Sequence, residues 1–168
     1  ISQGCQPIIG FNYGAGKYER VRRTYRLAIC CNLVISAVGF GLFQFCPRQI
    51  LSLFGSGDAL YYEFAVRFMR TYLFMVIVNG VQLISSNFFA AIGKPVKGLV
   101  LSMTRQVLFL IPLLVVLPMI FGIDGIMFAG PTADFAAFVV TTLSIMREMR
   151  RIREMETTEA VRPAFQTR

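Results

Sequence analysis

Five stretches of this sequence are nearly free of Asp, Glu, Lys and Arg. Residues 1–16, 27–47, 71–93 and 106–123 carry none, and 125–146 carries only Asp134. A helix needs about 20 apolar residues to cross a hydrocarbon core about 30 Å thick, whereas runs of about 10–14 belong to the buried helices of soluble domains. Four of the stretches meet the longer requirement, and the first reads as a span cut short. A chain in hydrocarbon must satisfy its backbone hydrogen bonds within each segment, which favours helices. Composition agrees, because charged residues supply 15% against about 25% in ordinary soluble domains. Mean hydropathy is +0.61. The sequence predicts an all-α, polytopic membrane helical bundle of about five transmembrane helices. The spans are placed at about 1–16, 27–47, 68–93, 99–121 and 125–146, with a basic tail at 147–168. The chain opens on Ile1 inside an apolar run, which reads as a fragment with upstream sequence missing.

Several chemistries are excluded at once. With no His there is no Ser-His-Asp triad, no Cys-His pair and no histidine zinc site. Cys5, Cys30, Cys31 and Cys46 form no CxxC pair and sit among apolar residues, where Cys acts as a small hydrophobe. An aspartyl intramembrane enzyme needs two acids in one site, and only Asp134 lies deep in a span. No enzyme, metal site or cofactor is therefore expected.

Net charge is +8, but its placement argues for lipid and against nucleic acid. Lys17, Arg20, Arg22, Arg23 and Arg26 follow the first stretch. The next connection, 47–63, holds Arg48 against Asp58 and Glu63. Lys94 and Lys97 occupy the third, and Asp124 alone marks the fourth. Basic and non-basic connections alternate, as helices crossing back and forth require. The positive-inside rule then puts 17–26, 94–97 and the tail in the cytoplasm. Arg67 and Arg70 fall at the outer mouth of the third span, where Arg can snorkel to headgroups.

The spans are not uniformly apolar. Gln3, Gln6, Pro7 and Asn12 interrupt the first, whose Gly10 and Gly14 have the small-xxx-small spacing of closely packed helices. The third carries Asn79, Gln82, Ser86 and Asn87, and the first three of these share one face by i, i+3, i+7 spacing. Its exit, Gly93-Lys94-Pro95, is a helix stop. A Gly-Ser-Gly-Asp sequence at 55–58 signals a turn. Pro112 and Pro118 interrupt the fourth span and Pro131 the fifth, each removing a helical hydrogen bond. The charged sequence beyond Met146 reads as a solvated helix that frays.

The stretch Gln3-Gly4-Cys5-Gln6-Pro7-Ile8-Ile9-Gly10-Phe11-Asn12-Tyr13-Gly14-Ala15-Gly16 resembles the eighth helix, with its exit, of multidrug and toxic compound extrusion (MATE) transporters. Ile50–Gly55 resembles the segment before their helix ten, and Gly93-Lys94-Pro95 the loop after it. Gly122-Ile123-Asp124-Gly125-Ile126 and Gly130-Pro131-Thr132-Ala133-Asp134 resemble the start and body of helix twelve. The resemblance covers about residues 1–150. It implies two six-helix bundles around a cavity that opens alternately to each side, with 1–146 forming part of the second bundle. The missing N-terminal bundle of the same protein would be its principal partner. The implied activity is export of drugs or toxic, often cationic and amphipathic, compounds by proton- or sodium-coupled antiport across the bacterial inner membrane. Members place coupling acids on helix one, or on helices seven and ten. The third span here has no carboxylate at its middle, so it lacks the acid of the helix-seven-and-ten type, and the resemblance then implies an ion site in the absent half.

The candidate substrate- or ion-binding residues are thus Asp134, Asn79, Gln82, Gln3, Gln6, Asn12 and Asn87. A carboxylate in hydrocarbon must be paired, hydrated or protonated. Asp134 therefore either binds cations or makes an interhelical hydrogen bond, with Thr132 or with a partner on the first or third span. The amides either line an apolar cavity or join helices. Pro7, Pro112, Pro118 and Pro131 are either bending points or static kinks. A lipid-linked oligosaccharide flippase would require more cavity Arg and Lys than Arg105 alone. A non-transporting membrane scaffold remains the third reading.

Overall fold

A computed structural model describes residues 1–53 and 58–161, the last three as backbone only. The described residues form α1 (Ser2–Gly14), α2 (Tyr18–Phe45), α3 (Pro47–Ser52), α4 (Ala59–Tyr72), α5 (Val76–Ala91), α6 (Pro95–Met103), a π-helical segment (Thr104–Leu110), α7 (Ile111–Phe121) and α8 (Ile123–Val161). They contain no strand. Most of the turn expected at 55–58, and the end of the tail, lie outside the described residues.

Tyr18–Phe45, Pro95–Phe121 and Ile123–Thr158 are long and apolar enough to cross a membrane. The pair α4 and α5, bent by 44°, makes a fourth if taken as one span. Their outer faces are apolar and exposed, as at Val34 (65%) and Val115 (59%). Exposed apolar surface of this extent marks a lipid-facing protein, and the chain is a multi-pass membrane protein. α1 has 13 residues, a rise of about 20 Å at ~1.5 Å per residue.

Two features depart from the sequence reading. The span expected over 68–93 is two helices: α4 already begins at Ala59, and the chain turns at Leu73-Phe74-Met75. Arg67 and Arg70 had set the expected boundary, but a helix tolerates Arg readily where its head reaches water. Arg67 lies 3.7 Å from Asp124, both exposed, and Gln44 donates to the Arg70 carbonyl at 3.0 Å. The second departure is the tail. Residues 147–158 continue α8 without a break, and Glu148 and Ile152 are buried rather than solvated.

The core explains both the length of α8 and the central place of α5, which packs against α1, α2, α6 and α8. Val21, Tyr25, Ile84, Phe88, Phe89, Ile145 and Ile152 form one buried cluster. Within it the Tyr25 and Ser85 hydroxyls hydrogen bond at 2.8 Å, and the Phe88 ring meets Tyr25 edge-on at 4.9 Å. The buried positions of α8 include Met127, Asp134, Thr141 and Glu148, interleaved with Gly130, Ala137, Ile145 and Ile152. That mixture of three- and four-residue steps is one stripe down a helix, and it passes Met146 without interruption.

Connections follow local chemistry. Gly93 adopts φ 76°, and Gly122 φ 61°, backbone that side chains with a Cβ resist. Pro95 opens α6 at its first turn, where its missing N–H costs nothing. Gly10 approaches the Ala91 carbonyl, whereas Gly14 meets nothing nearby, so only the first half of the small-xxx-small pair packs.

Candidate functional site

The face of α5 predicted from spacing is the one turned to α6. Gln82 Nε2 donates to the Leu101 carbonyl at 2.9 Å. Ser86 Oγ contacts the Gly98 carbonyl and lies 2.6 Å from Ser102 Oγ. A Cβ at Gly98 would collide with the Ser86 carbonyl, so glycine is what allows α5 and α6 this close. One step along the same face, Asn79 and Gln82 join Ser102, Arg105 and Gln106 around an open pocket of about 190 Å³.

Arg105 enters this site through the π-helical segment. The wider turn rephases the side chains of the span, and such segments recur at functional sites. Pro112, just beyond it, lies in the first turn of α7. Arg105 Nε donates to Asp134 Oδ1 at 2.5 Å, and the Asp134 side chain is only 8% exposed. Arg105 lies ten residues into the span that starts at Pro95, and Asp134 eleven into α8. At ~1.5 Å per residue both are about 15 Å from those helix ends, half the thickness of a hydrocarbon core of about 30 Å. Burying two charges there costs several kcal/mol each, which their attraction and hydrogen bond must offset.

Asp134 thus bonds to the fourth span, not to Thr132 or to the first or third. Thr132 Oγ1 instead donates to the Phe128 carbonyl at 2.7 Å within α8. Sequence reasoning noted Arg105 only as the sole cation well inside a span. A lone acid and a lone base inside neighbouring spans was the available signal.

The other candidates are elsewhere. Asn87 Nδ2 donates to Ser2 Oγ at 2.6 Å and so ties α5 to α1. Asn12 Nδ2 returns to the Ile8 carbonyl of its own helix at 2.8 Å. Gln3 is exposed and Gln6 half-buried on α1. None of these four lines the pocket of Asn79 and Gln82. Pro7, Pro118 and Pro131 lie inside α1, α7 and α8. Among the described residues no three His, Cys, Asp or Glu side chains cluster as metal ligands.

A second charged cluster marks the basic end of the bundle. Buried Glu148 receives Lys94 and, at 3.5 Å, Lys97. Burial pushes its carboxyl up, but the hydrogen bonds and charges of Lys94 and Lys97 outweigh it, and the net shift is downward. Arg22 pairs with Glu156 at 2.9 Å, fastening the end of α8 to the start of α2.

A sequence model of the MatE family matches residues 1–116. The chain is 26% identical over 85% of its length to "Multidrug export protein MepA" of Staphylococcus haemolyticus, covering 32% of that protein. It is also 26% identical over 80% of its length to a "FAD transporter" of Shewanella oneidensis, covering 29%. A solved structure titled as the inward-facing conformation of a multidrug resistance MATE family transporter shares its fold, with TM-score 0.83 and 16% identity over 91% of this chain and 36% of that one. The chain thus spans about a third of the length of the relatives it matches. MATE proteins are transporters and not enzymes, and with its family match covering more than half its length this chain belongs to the MATE transporter family.

Proposed function

We propose that the chain forms part of the second bundle of a secondary active transporter. That transporter exports drugs or toxic, often cationic, compounds by proton- or sodium-coupled antiport with alternating access. It resides in the bacterial inner membrane with the tail of this chain in the cytoplasm. The observation that carries this reading is the Arg105–Asp134 pair beside the Asn79–Gln82 pocket. A proton, a sodium ion or a cationic substrate that reaches Asp134 competes with Arg105 for the same carboxylate. Because an unpaired guanidinium is costly at this depth, each occupant of Asp134 favours a different seating of the π-segment and α7 against α8. Pro118 and Pro131 supply bending points on those helices. The names of the MepA relatives support export of several compounds.

A flippase for a pyrophosphate-bearing lipid fits less well. The one cation lining the pocket, Arg105, already has its charge matched by Asp134. The test is export of a fluorescent cation by the full-length protein in everted vesicles. Wild type should export in response to an imposed proton or sodium gradient, and Asp134→Asn should slow export at least tenfold. Unchanged export in both Asp134→Asn and Gln82→Ala would return the chain to a scaffold role.

A further inference from the structure

At the basic end of the bundle, α6 and α8 diverge around a cavity of about 390 Å³ that lies apart from the Arg105–Asp134 site. Its wall is apolar, from Val96, Val100 and Val140 over the buried Phe89, and its rim carries Lys97, Arg147 and Glu148. Val96 and Val100 are 72% and 56% exposed, so the apolar part opens outward toward the lipid rather than into the bundle. The rim is cationic overall. On the rim Lys97 and Arg147 stand against one carboxylate, that of buried Glu148, which Lys94, outside the groove's lining, also pairs. Arg147 is exposed and has no ion pair among the described residues.

We propose that this groove is a binding site for an anionic phospholipid. An acyl chain lies along Val96, Val100 and Val140, and the headgroup phosphate is held by Lys97 and Arg147. Two properties select this occupant. Apolar wall and cationic rim stand in the order that a phospholipid presents its tail and its phosphate. The rim also includes Lys97 of the basic connection 94–97, which the positive-inside pattern assigns to the headgroup side. Basic pockets between transmembrane helices recruit anionic headgroups for this reason. Glu148 acts as a positioning residue: it anchors the root of Lys97 on α6 to α8 and keeps the rim together. Ordering this lipid would brace α6, the helix that leads into the π-segment, against α8.

The experiment uses the full-length protein in nanodiscs, with phosphatidylglycerol bearing a photoactivatable group on its acyl chain and the matching phosphatidylcholine probe for comparison. Phosphatidylglycerol should label peptides containing residues 96–101 and 140–147 at least five-fold more than phosphatidylcholine does. Lys97→Gln with Arg147→Gln should abolish that preference. Even labelling of all exposed helices, equal labelling by both probes, or no labelling because another part of the protein fills the groove would each overturn the proposal. The wild-type comparison decides the matter even if the double variant fails to fold. Added glycerol phosphate should not displace the probe, and displacement would mean a headgroup-only anion site instead.

Discussion

Arg105 Nε and Asp134 Oδ1 meet at 2.5 Å, between the π-segment that follows α6 and the first third of α8. Each is a charge that apolar surroundings would exclude alone.

Removing one partner leaves the other, buried Asp134 or part-buried Arg105, without its counter-charge, which costs up to about 3–5 kcal/mol. Arg105→Gln or Asp134→Asn should therefore lower the thermal stability of the purified full-length protein in detergent by that order. The double variant should recover most of the loss. Additive losses in the double variant would show that the two side chains act independently.

The α5–α6 contact depends on the absence of a side chain at Gly98, where a Cβ would meet the Ser86 carbonyl. Gly98→Ala should destabilise by about 1–3 kcal/mol, the usual range for overpacking. Gly39→Ala, at a helical site with nothing nearby, should be neutral or mildly stabilising. Equal effects of the two in a thermal-shift series would contradict the packing described.

Ile152 is fully buried although it lies beyond the last apolar span. Ile152→Ala should cost about 2–5 kcal/mol, as core truncations do. Breaking the part-buried Arg22–Glu156 pair should cost less than Ile152→Ala, on the order of 1 kcal/mol. A tail that merely extends into water would show no effect from Ile152→Ala.

The Lys94–Glu148–Lys97 cluster has a pH signature. Glu148 has a lower pKa folded than unfolded, so its contribution is fully present above the ordinary glutamate range. That contribution is lost as pH falls through the depressed folded value. Wild type should lose stability on acidification below the normal Glu pKa of 4.5, and Glu148→Gln should flatten that part of the profile. An unchanged acid limb in Glu148→Gln would remove the cluster from the account.

The membrane class and the apolar spans were legible because charge gaps report directly on bilayer thickness. The polar face of Asn79, Gln82 and Ser86 was legible because three residues on one helix obey a known period. The break at Leu73-Phe74-Met75 was not, since neither Gly nor Pro announces it. The Arg105–Asp134 pair joins residues 29 apart on different helices, and no local spacing encodes that. Gln3, Gln6, Asn12 and Asn87 looked alike as buried amides. Tertiary packing sends Asn87 to α1, whereas Asn12 bonds locally to the backbone of its own helix. The tail misled because the reading stopped at Arg147, although the stripe of Asp134, Thr141, Glu148 and Ile152 runs straight through it.

Competition at Asp134 is tested most directly by the affinity of the full-length protein for a fluorescent cation, measured with and without added sodium. Wild type should bind the cation, and sodium should weaken that binding by competing for the same carboxylate. Asp134→Asn should bind weakly throughout, with little response to sodium. Wild type and Asp134→Asn giving the same affinity and the same sodium dependence would contradict a cation site at this residue.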